Sequence, residues 1–345
     1  MSSPTGTPAT VAAAGPLPVA EADALVRRTL ERVGTDASQA AAVARALVGA
    51  ELAGQAGHGL RRLPSYAAQV RAGKIDGEAK PVLAHPRPGI LSIDAAHGFA
   101  YPALELAVEA LPPLAVSQGI AAAGIRRSHH AGVTGLVVEA LAEREQIALL
   151  FANTPAAMAP YGGRTALFGT NPIAFGAPAG ADGPLVIDLS MSAVARGRIL
   201  AASQRGEAIP NDWAMDAQGR PTTDPMAALA GTMAPVGGPK GAALALMVEV
   251  LAAGLTGGRF AFEASSFLDD KGDPPATGQL LIAMDPSAFG PGGLDRIAAL
   301  ASAIGEEPGA RVPGARRHQI RAQRMQEGLS VDPALLAEIE AISCA

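Results

Sequence analysis

The chain contains very little cysteine: Cys344 is the only one in 345 residues, and it lies one residue from the C-terminus. A single thiol forms neither an internal disulfide framework nor a thiolate metal cage, and at this position it is no nucleophile for a buried site. The cysteine content therefore predicts a cytoplasmic protein with no structural disulfide, and no metal ion is expected.

Positive charge and long apolar runs are also scarce. The sequence has 27 Lys and Arg against 32 Asp and Glu, whereas nucleic-acid-binding domains are usually strongly basic or carry a basic stripe. The most apolar long segment, GAALALMVEVLAAGLTGG from Gly241, contains Glu249 and ends in glycines, which indicates a buried helix and not a membrane span. Neither nucleic acid nor a membrane is an expected partner.

Aromatic residues make up 3% of a chain that is 49% hydrophobic, so the core must consist mainly of Ala, Leu, Val, Ile and Gly. Residues 1–18, rich in Pro and without a basic leader, are predicted to form a disordered tail. Residues 19–118 begin with two Ala-rich helical patterns, with Thr35 or Asp36 capping the second, and then enter a sheet. Short apolar runs alternate with helical stretches over residues 119–286, which predicts an α/β body. Helical patterns return over residues 287–345 and are expected to pack back onto the N-terminal region.

The usual phosphate-binding fingerprints are missing. No G-x-G-x-x-G follows a strand and no G-x-x-x-x-G-K-[ST] occurs, which argues against a Rossmann or P-loop fold. The segment GGPKGAA from Gly237 places a lysine in a glycine turn before a helix. Free backbone N–H groups at such a turn suit a phosphate, and an ordinary helix start fits the pattern equally well.

Two segments contain histidines with possible chemical roles. His58 lies in AGHGLRRLPSY and precedes Arg62 by four residues, which places both on one face if a helix starts at the histidine. A proton donor and a carboxylate clamp would then share a pocket; the alternative is a histidine in a flexible turn and an arginine on a solvated face.

In SHHAGVTG, His129 and His130 point in different directions, so a metal pair is not expected. One of them suits a general acid, while the alternative is one buried and one surface histidine.

Three further loops contain polar residues framed by Gly or Pro. FGTNPIAFGAP contains Thr170, PLVIDLSMSAVARG ends a strand at Asp188, and RVPGARRH collects three arginines around a turn. These groups suit a substrate carboxylate, ribose hydroxyls and a phosphate, respectively. A simple turn, a helix cap and a solvated basic turn are the ordinary alternatives.

Taken together and in this order, the motifs resemble the type 2 malate/L-lactate dehydrogenase family of NAD(P)-dependent oxidoreductases, from about Val19 to about Ile342. GHGLRRLPSY, SHH, GTNP, the strand ending DLSMS, and KG at the start of a long helix carry the likeness. The stretches LFGTNPIAFGAP and TGQLLIAMDP are most similar to the branch that reduces Δ1-piperideine-2-carboxylate and Δ1-pyrroline-2-carboxylate.

The resemblance implies a sulfolactate dehydrogenase-like α/β fold that is not Rossmann. Its mixed-sheet NAD(P)-binding body carries a helical subdomain formed by the N- and C-terminal segments, and it works as a homodimer. NADP is expected in preference to NAD. His58 would be the proton donor, Arg62 and Thr170 would hold the substrate carboxylate, and His130 would stand beside the nicotinamide. The residues expected to contact the cofactor are Ala131, Gly132, Val133, Thr134, Asp188, Leu189, Ser190, Gly238, Pro239, Lys240, Pro313, Gly314, Arg316 and Arg317.

The expected activity is hydride reduction of the C=N bond of a cyclic imino acid to L-pipecolate or L-proline. The alternatives are a 2-hydroxy acid dehydrogenase of the malate, lactate or ureidoglycolate type, and a cofactor-binding homologue with little turnover. Two positions depart from the imine-reducing branch: Gly57 replaces a serine, and Arg198 replaces an aspartate thought to form a relay with the histidine. We therefore expect His58 to lose orienting groups, and Arg198 to favour its neutral imidazole.

Overall fold

The computed structural model describes residues 15–180 and 183–344. Its N-terminal layer is helical, and Asp36 accepts a hydrogen bond from the backbone N–H of Ser38 at 2.9 Å, which confirms the predicted cap. After the second helix the chain makes two short 3₁₀ turns, at Ala56–His58 and Leu60–Arg62. The three helices of this layer are α1 Val19–Arg32, α2 Ala37–Leu52 and α3 Leu63–Arg71.

The body is a seven-stranded sheet in the order β1-β2-β3-β9-β4-β5-β6. β2 and β3 run parallel, and every other neighbouring pair in this sheet is antiparallel. The predicted mixed, non-Rossmann sheet is therefore confirmed. The strands are β1 Val82–Arg87, β2 Ile90–Asp94, β3 Ile120–Ser128, β4 Ile147–Ala152, β5 Ile173–Ala177, β6 Leu185–Leu189 and β9 Thr277–Met284, and a separate small pair is β7 Ala214–Met215 with β8 Thr232–Met233.

Helices cover both faces of the sheet. Leu281 and Ala283 of β9 face a core shared with α4 and α5, while Leu280 faces Val248 and Ala252 on the opposite side. This alternation is the period-two pattern of a strand buried on both faces. The remaining helices are α4 Ala100–Gln118, α5 Thr134–Ala142, α6 Arg196–Arg205, α7 Pro225–Ala230, α8 Pro239–Val248, α9 Gly293–Glu306, α10 Ala315–Glu327 and α11 Pro333–Cys344, and α8 continues as a π-helical segment, Glu249–Gly254.

The C-terminal helices return to the N-terminal layer. α11 packs on α1 and α3, and α10 packs on α2. Leu17 is buried and pairs with Leu329 through two backbone hydrogen bonds of 2.8 Å. The predicted disordered tail therefore does not reach residue 18, and the rest of that prediction, residues 1–14, lies outside the described residues.

Candidate active site

His58 lies at the end of a 3₁₀ turn, so the helix that would place it on one face with Arg62 does not start at the histidine. The helix is broken because Gly59 adopts φ −93° and ψ −142°. A side chain on Gly59 would collide with the Glu51 carboxylate, which accepts the backbone N–H of Leu60 at 2.9 Å. Arg62 still reaches the turn, because its Nε donates to the carbonyl oxygen of Gly57 at 2.9 Å.

A continuous hydrogen-bonded chain runs inward from His58. Nδ1 of His58 lies 3.1 Å from Nε2 of His130, and Nδ1 of His130 lies 2.7 Å from the Tyr66 hydroxyl. The Tyr66 hydroxyl lies 2.9 Å from that of Tyr101. We call these four residues the inner chain. His130, Tyr66 and Tyr101 are buried, whereas His58 is partly exposed, so the chain reaches solvent through His58. The two predicted histidines are thus in direct contact, whereas neither tyrosine was predicted as a site residue.

Both histidines of the inner chain are held neutral. Burial lowers the pKa of His58 to about 4, with a further lowering by Arg62 that Asp188 opposes. Burial also takes the pKa of His130 well below its usual value. The expectation that Arg198 favours the neutral imidazole is wrong as to cause, because burial and Arg62 produce the shift. The exposed Arg198 guanidinium instead stacks over Trp213, 4.8 Å from the ring centroid.

His129 turns away from its neighbour, as expected for adjacent residues near a strand end. Its Nε2 lies 2.8 Å from Oε1 of Gln69, and its ring lies 4.8 Å from that of Phe267. Phe267 also packs 5.5 Å from the ring of His130. The loop carrying Phe267 is anchored by the buried Lys74, whose Nζ donates to the carbonyl oxygens of residues 266, 269 and 271 at 2.7–2.9 Å. Sequence reasoning missed Lys74, because RAGKIDG has the composition of a surface turn.

Acid is expected to destabilise the fold through His129. Burial, reinforced by Lys74 and Arg62, lowers its pKa to about 3, from 6.5 for an unperturbed histidine. Between these values the unfolded chain binds the proton more strongly, so the free energy of unfolding falls as pH falls from 6.5 towards 3. The free energy of unfolding, measured with urea at neutral pH and at about pH 5, should decrease less between these two pH values in His129→Gln than in the wild type. His85→Gln, on the exposed β1, should keep the wild-type decrease; an equal decrease in all three proteins contradicts this assignment.

Thr170 is fixed by a second polar cluster. Its N–H donates to Oγ1 of Thr154 at 2.9 Å, and the two hydroxyls lie 3.2 Å apart. The next residue, Asn171, has the left-handed φ of 41° and donates from Nδ2 to Glu249 at 2.8 Å. Glu249 is buried, and it also accepts the backbone N–H of Ala261 at 3.1 Å. Burial raises its pKa. The sequence signal for Glu249 was a single acid within an apolar run.

The Asp188 side chain, at the end of β6, binds the first residues of α5 and does not cap α6, the helix that follows its own strand. Its two carboxylate oxygens accept the Thr134 hydroxyl and the Gly135 N–H, both at 2.8 Å. Arg317 is buried 3.8 Å from Asp188 and 3.5 Å from Glu139. The charge of Arg317 is therefore balanced inside the protein, whereas Arg316 is exposed.

The other predicted cofactor contacts fall on loops and helix starts. Gly132, with φ 67°, lies so close to Tyr101 that a side chain on it would be 2.8 Å from the ring. Gly238 and Pro239 open α8 beside the exposed Lys240. Gly314 caps α10, and the Pro313 carbonyl accepts the N–H of Val186 at 3.0 Å. Free N–H groups next to Lys240 and Arg316 fit anionic phosphates.

The described residues contain no group of three or more His, Cys, Asp or Glu suited to a metal, and none of their helices is long and apolar enough to cross a membrane.

The chain is similar to known oxidoreductases along nearly its whole length. The chain is 49% identical over 323 residues to a (2R)-3-sulfolactate dehydrogenase (NADP(+)) of Chromohalobacter salexigens, covering 93% of this chain and 96% of that protein. It is 41% identical over 333 residues to a Δ1-pyrroline-2-carboxylate reductase of Ancylobacter novellus, covering 94% and 97%. The fold matches the Δ1-piperideine-2-carboxylate reductase of Pseudomonas syringae with a TM-score of 0.90 at 37% identity, covering 95% and 100%. A family model described as malate/L-lactate dehydrogenase matches residues 17–340. The chain therefore belongs to the malate/L-lactate dehydrogenase family of oxidoreductases.

Proposed function

We propose that the protein is an NADPH-dependent reductase of 2-oxo acids, interconverting them with 2-hydroxy acids. The inner chain carries this proposal, because His58 ends a line of hydrogen-bonded groups that can replace the proton it passes to the substrate. Reduction of a ketone leaves an alkoxide that must be protonated, whereas a cyclic imine can enter already protonated as an iminium. The 49% identity to a sulfolactate dehydrogenase supports the same substrate class. The branch-specific serine and aspartate of the imine reductases, absent here at Gly57 and Arg198, support it too.

Each residue has a role that suits its surroundings. The terminal nitrogens of Arg62 make no hydrogen bond among the described residues, so they are available to hold the substrate carboxylate, together with the Thr170 hydroxyl. His58 places Nε2 at the open end of the inner chain, where it donates a proton to the substrate oxygen. His130, directly behind it, fixes its orientation.

The proposed cofactor is NADPH, because the sulfolactate dehydrogenase relative is named for NADP(+). When bound, it supplies the hydride. Its phosphates are assigned to the N–H groups and cations at Gly238–Lys240 and at Gly314–Arg316. The loop Ala131–Thr134, which packs against Tyr101 so closely that Gly132 has no room for a side chain, is joined to Asp188 by the Thr134 hydroxyl. We assign this loop and the strand end Asp188–Ser190 to the ribose and nicotinamide. The homodimer and the cytoplasmic location remain predictions.

Reduction of cyclic imino acids is the second candidate. It is favoured by relatives named as Δ1-pyrroline-2-carboxylate reductases at 37–41% identity and by the close match in fold to a Δ1-piperideine-2-carboxylate reductase. Oxidation of NADPH and NADH should be followed in parallel with 3-sulfopyruvate, pyruvate, oxaloacetate and the two cyclic imines. The proposal requires turnover of a 2-oxo acid. Turnover of the imines alone selects the second candidate, and cofactor binding without any turnover indicates a homologue that has lost activity.

Replacing Arg62 with lysine is expected to raise KM for the substrate about 10- to 100-fold while changing kcat much less, because a planar two-point contact becomes a single ammonium contact. Lysine also loses the Nε contact with the Gly57 carbonyl. Steady-state kinetics on the purified variant measure both constants. The exposed neighbour Arg61, changed to lysine in the same way, is the matched control. A wild-type KM in Arg62→Lys removes Arg62 from the carboxylate site.

A further inference from the structure

The inner chain contains more ionisable groups than a histidine donor needs. We propose that Tyr66 is the source of the proton that reaches the substrate, passing it through His130 and His58, and that Tyr101 stabilises the Tyr66 anion. This inference rests on the proposed function, because a proton source is required only when the product oxygen must be protonated. Tyr66 acts through the two histidines and does not itself touch the substrate.

The hydrogen bonds of the inner chain follow one another in a single line. Tyr66 bonds to His130 at 2.7 Å on one side and to Tyr101 at 2.9 Å on the other. His130 uses both ring nitrogens, one towards Tyr66 and one towards His58. Nε2 of His58 makes no hydrogen bond within the described residues, so it is the open end. Tyr66 is fully buried, and His58 is the most exposed member of the inner chain.

The direction of donation follows from the hydrogens available. A neutral imidazole carries one N–H, so His130 donates through one nitrogen and accepts through the other. If Tyr101 donates to Tyr66 and Tyr66 donates to His130, then His130 donates to His58 and every inner hydroxyl is satisfied. In the reverse direction the Tyr101 hydrogen has no acceptor among the described residues, which is costly for a buried group. The favoured direction leaves the hydrogen of His58 on Nε2, facing the substrate.

Proton transfer along this path balances. Once the carbonyl carbon has received the hydride, the substrate oxygen is an alkoxide, and it takes the proton from Nε2 of His58. Nδ1 of His58 takes the proton from Nε2 of His130, and Nδ1 of His130 takes the hydroxyl proton of Tyr66. Both imidazoles are neutral before and after, and the negative charge rests on the Tyr66 oxygen. A proton from water restores the chain after the product leaves.

Tyr66 is the best place on the chain for that charge. Its phenolate accepts two hydrogen bonds, from the Tyr101 hydroxyl and from Nδ1–H of His130. Burial raises the pKa of Tyr66, and Arg62 and the bond from Tyr101 reduce this rise without reversing it. Burial and the neighbouring Tyr66 take the pKa of Tyr101 well above 10, so Tyr101 keeps its proton. The titratable groups around Tyr66 are thus Arg62, Tyr101, His130 and the ring of His129, which packs edge-on against it.

The protein has three tyrosines. The one outside the inner chain, Tyr161, is exposed and provides a matched control. Tyr66→Phe keeps the packed ring and removes the proton, so we expect kcat for 2-oxo acid reduction to fall about 10²-fold. In the wild type, the dependence of kcat on the deuterium fraction of the solvent should indicate that several protons move together. In Tyr66→Phe the same dependence should indicate a single proton. Tyr101→Phe should lower kcat less, and Tyr161→Phe should leave both measurements unchanged.

A second measurement separates proton supply from a packing role. Difluorotyrosine placed at Tyr66 keeps the shape and hydrogen bonds but is a stronger acid, so the alkaline limb of the kcat–pH profile should move to lower pH. An alkaline limb unmoved by fluorination, or a Tyr66→Phe enzyme with wild-type kcat and isotope effect, overturns the inference while leaving the proposed function standing. A wild-type enzyme that reduces no 2-oxo acid rejects the proposed function and the proton source together.

Discussion

Replacing His58 with alanine is expected to lower kcat for the 2-oxo acid by about 10²–10⁴-fold, the usual contribution of a positioned general acid. The reason is that Nε2 of His58 is the open end of the inner chain, so its loss separates the substrate from every group behind it. KM should change much less, because Arg62 and Thr170 are assigned to the carboxylate. Stopped-flow measurement of a single turnover tests the chemical step directly.

The control for this experiment is His85→Ala, since His85 lies on the exposed strand β1. Added imidazole should restore part of the rate of His58→Ala, because it can fill the cavity beside His130 and accept the same hydrogen bond. A His58→Ala enzyme with unchanged kcat would remove His58 from the reaction and with it the assignment of the inner chain.

Replacing Glu249 with alanine should produce the largest loss of stability, about 3–5 kcal/mol. The carboxylate accepts N–H groups from Asn171 and Ala261 in the interior, and each unsatisfied buried donor costs about 1–3 kcal/mol. Asn171 also holds a left-handed backbone conformation next to Thr170, so its release should raise KM as well. Urea unfolding and steady-state kinetics on the same protein measure the two effects.

Glu249→Gln is the informative companion. An amide keeps one acceptor oxygen but turns an NH₂ group towards the other donors, so we expect a smaller loss of stability and an intermediate KM. Glu263→Gln is the control, because Glu263 is exposed and accepts one backbone N–H, that of Phe260, at 2.9 Å. Equal stability of Glu249→Ala and the control would show that the buried carboxylate does not hold this loop.

Local patterns were sufficient for much of the fold. The start of α2 at the Asp36 cap and the apolar runs of β3, β4 and β9 follow from backbone preference and from the burial of short strands. The site was predictable where one short segment carries the chemistry. The Ser-His-His segment and the histidine before Arg62 are of this kind, and the structure brings His58 and His130 into contact.

The features that were not predicted depend on pairs far apart in sequence. Tyr66 meets His130 across 64 residues, and Lys74 meets the carbonyl of residue 269 across 195. A buried lysine or glutamate looks like a surface residue until its partners are known. The turn that carries His58 also depends on a contact that the sequence pattern does not reveal, because the Glu51 carboxylate occupies the space beside Gly59.

The position of β9 has a consequence for how the protein is made. β9 lies between β3 and β4, so the strands made first form two partial sheets that cannot join until residue 284 has left the ribosome. Each partial sheet meanwhile presents an apolar edge with unpaired N–H and C=O groups, the kind of edge that recruits other strands. Pairings this distant in sequence also close slowly. The nascent chain is therefore most prone to aggregation between the synthesis of β6 and that of β9, and that interval is where a chaperone would protect it.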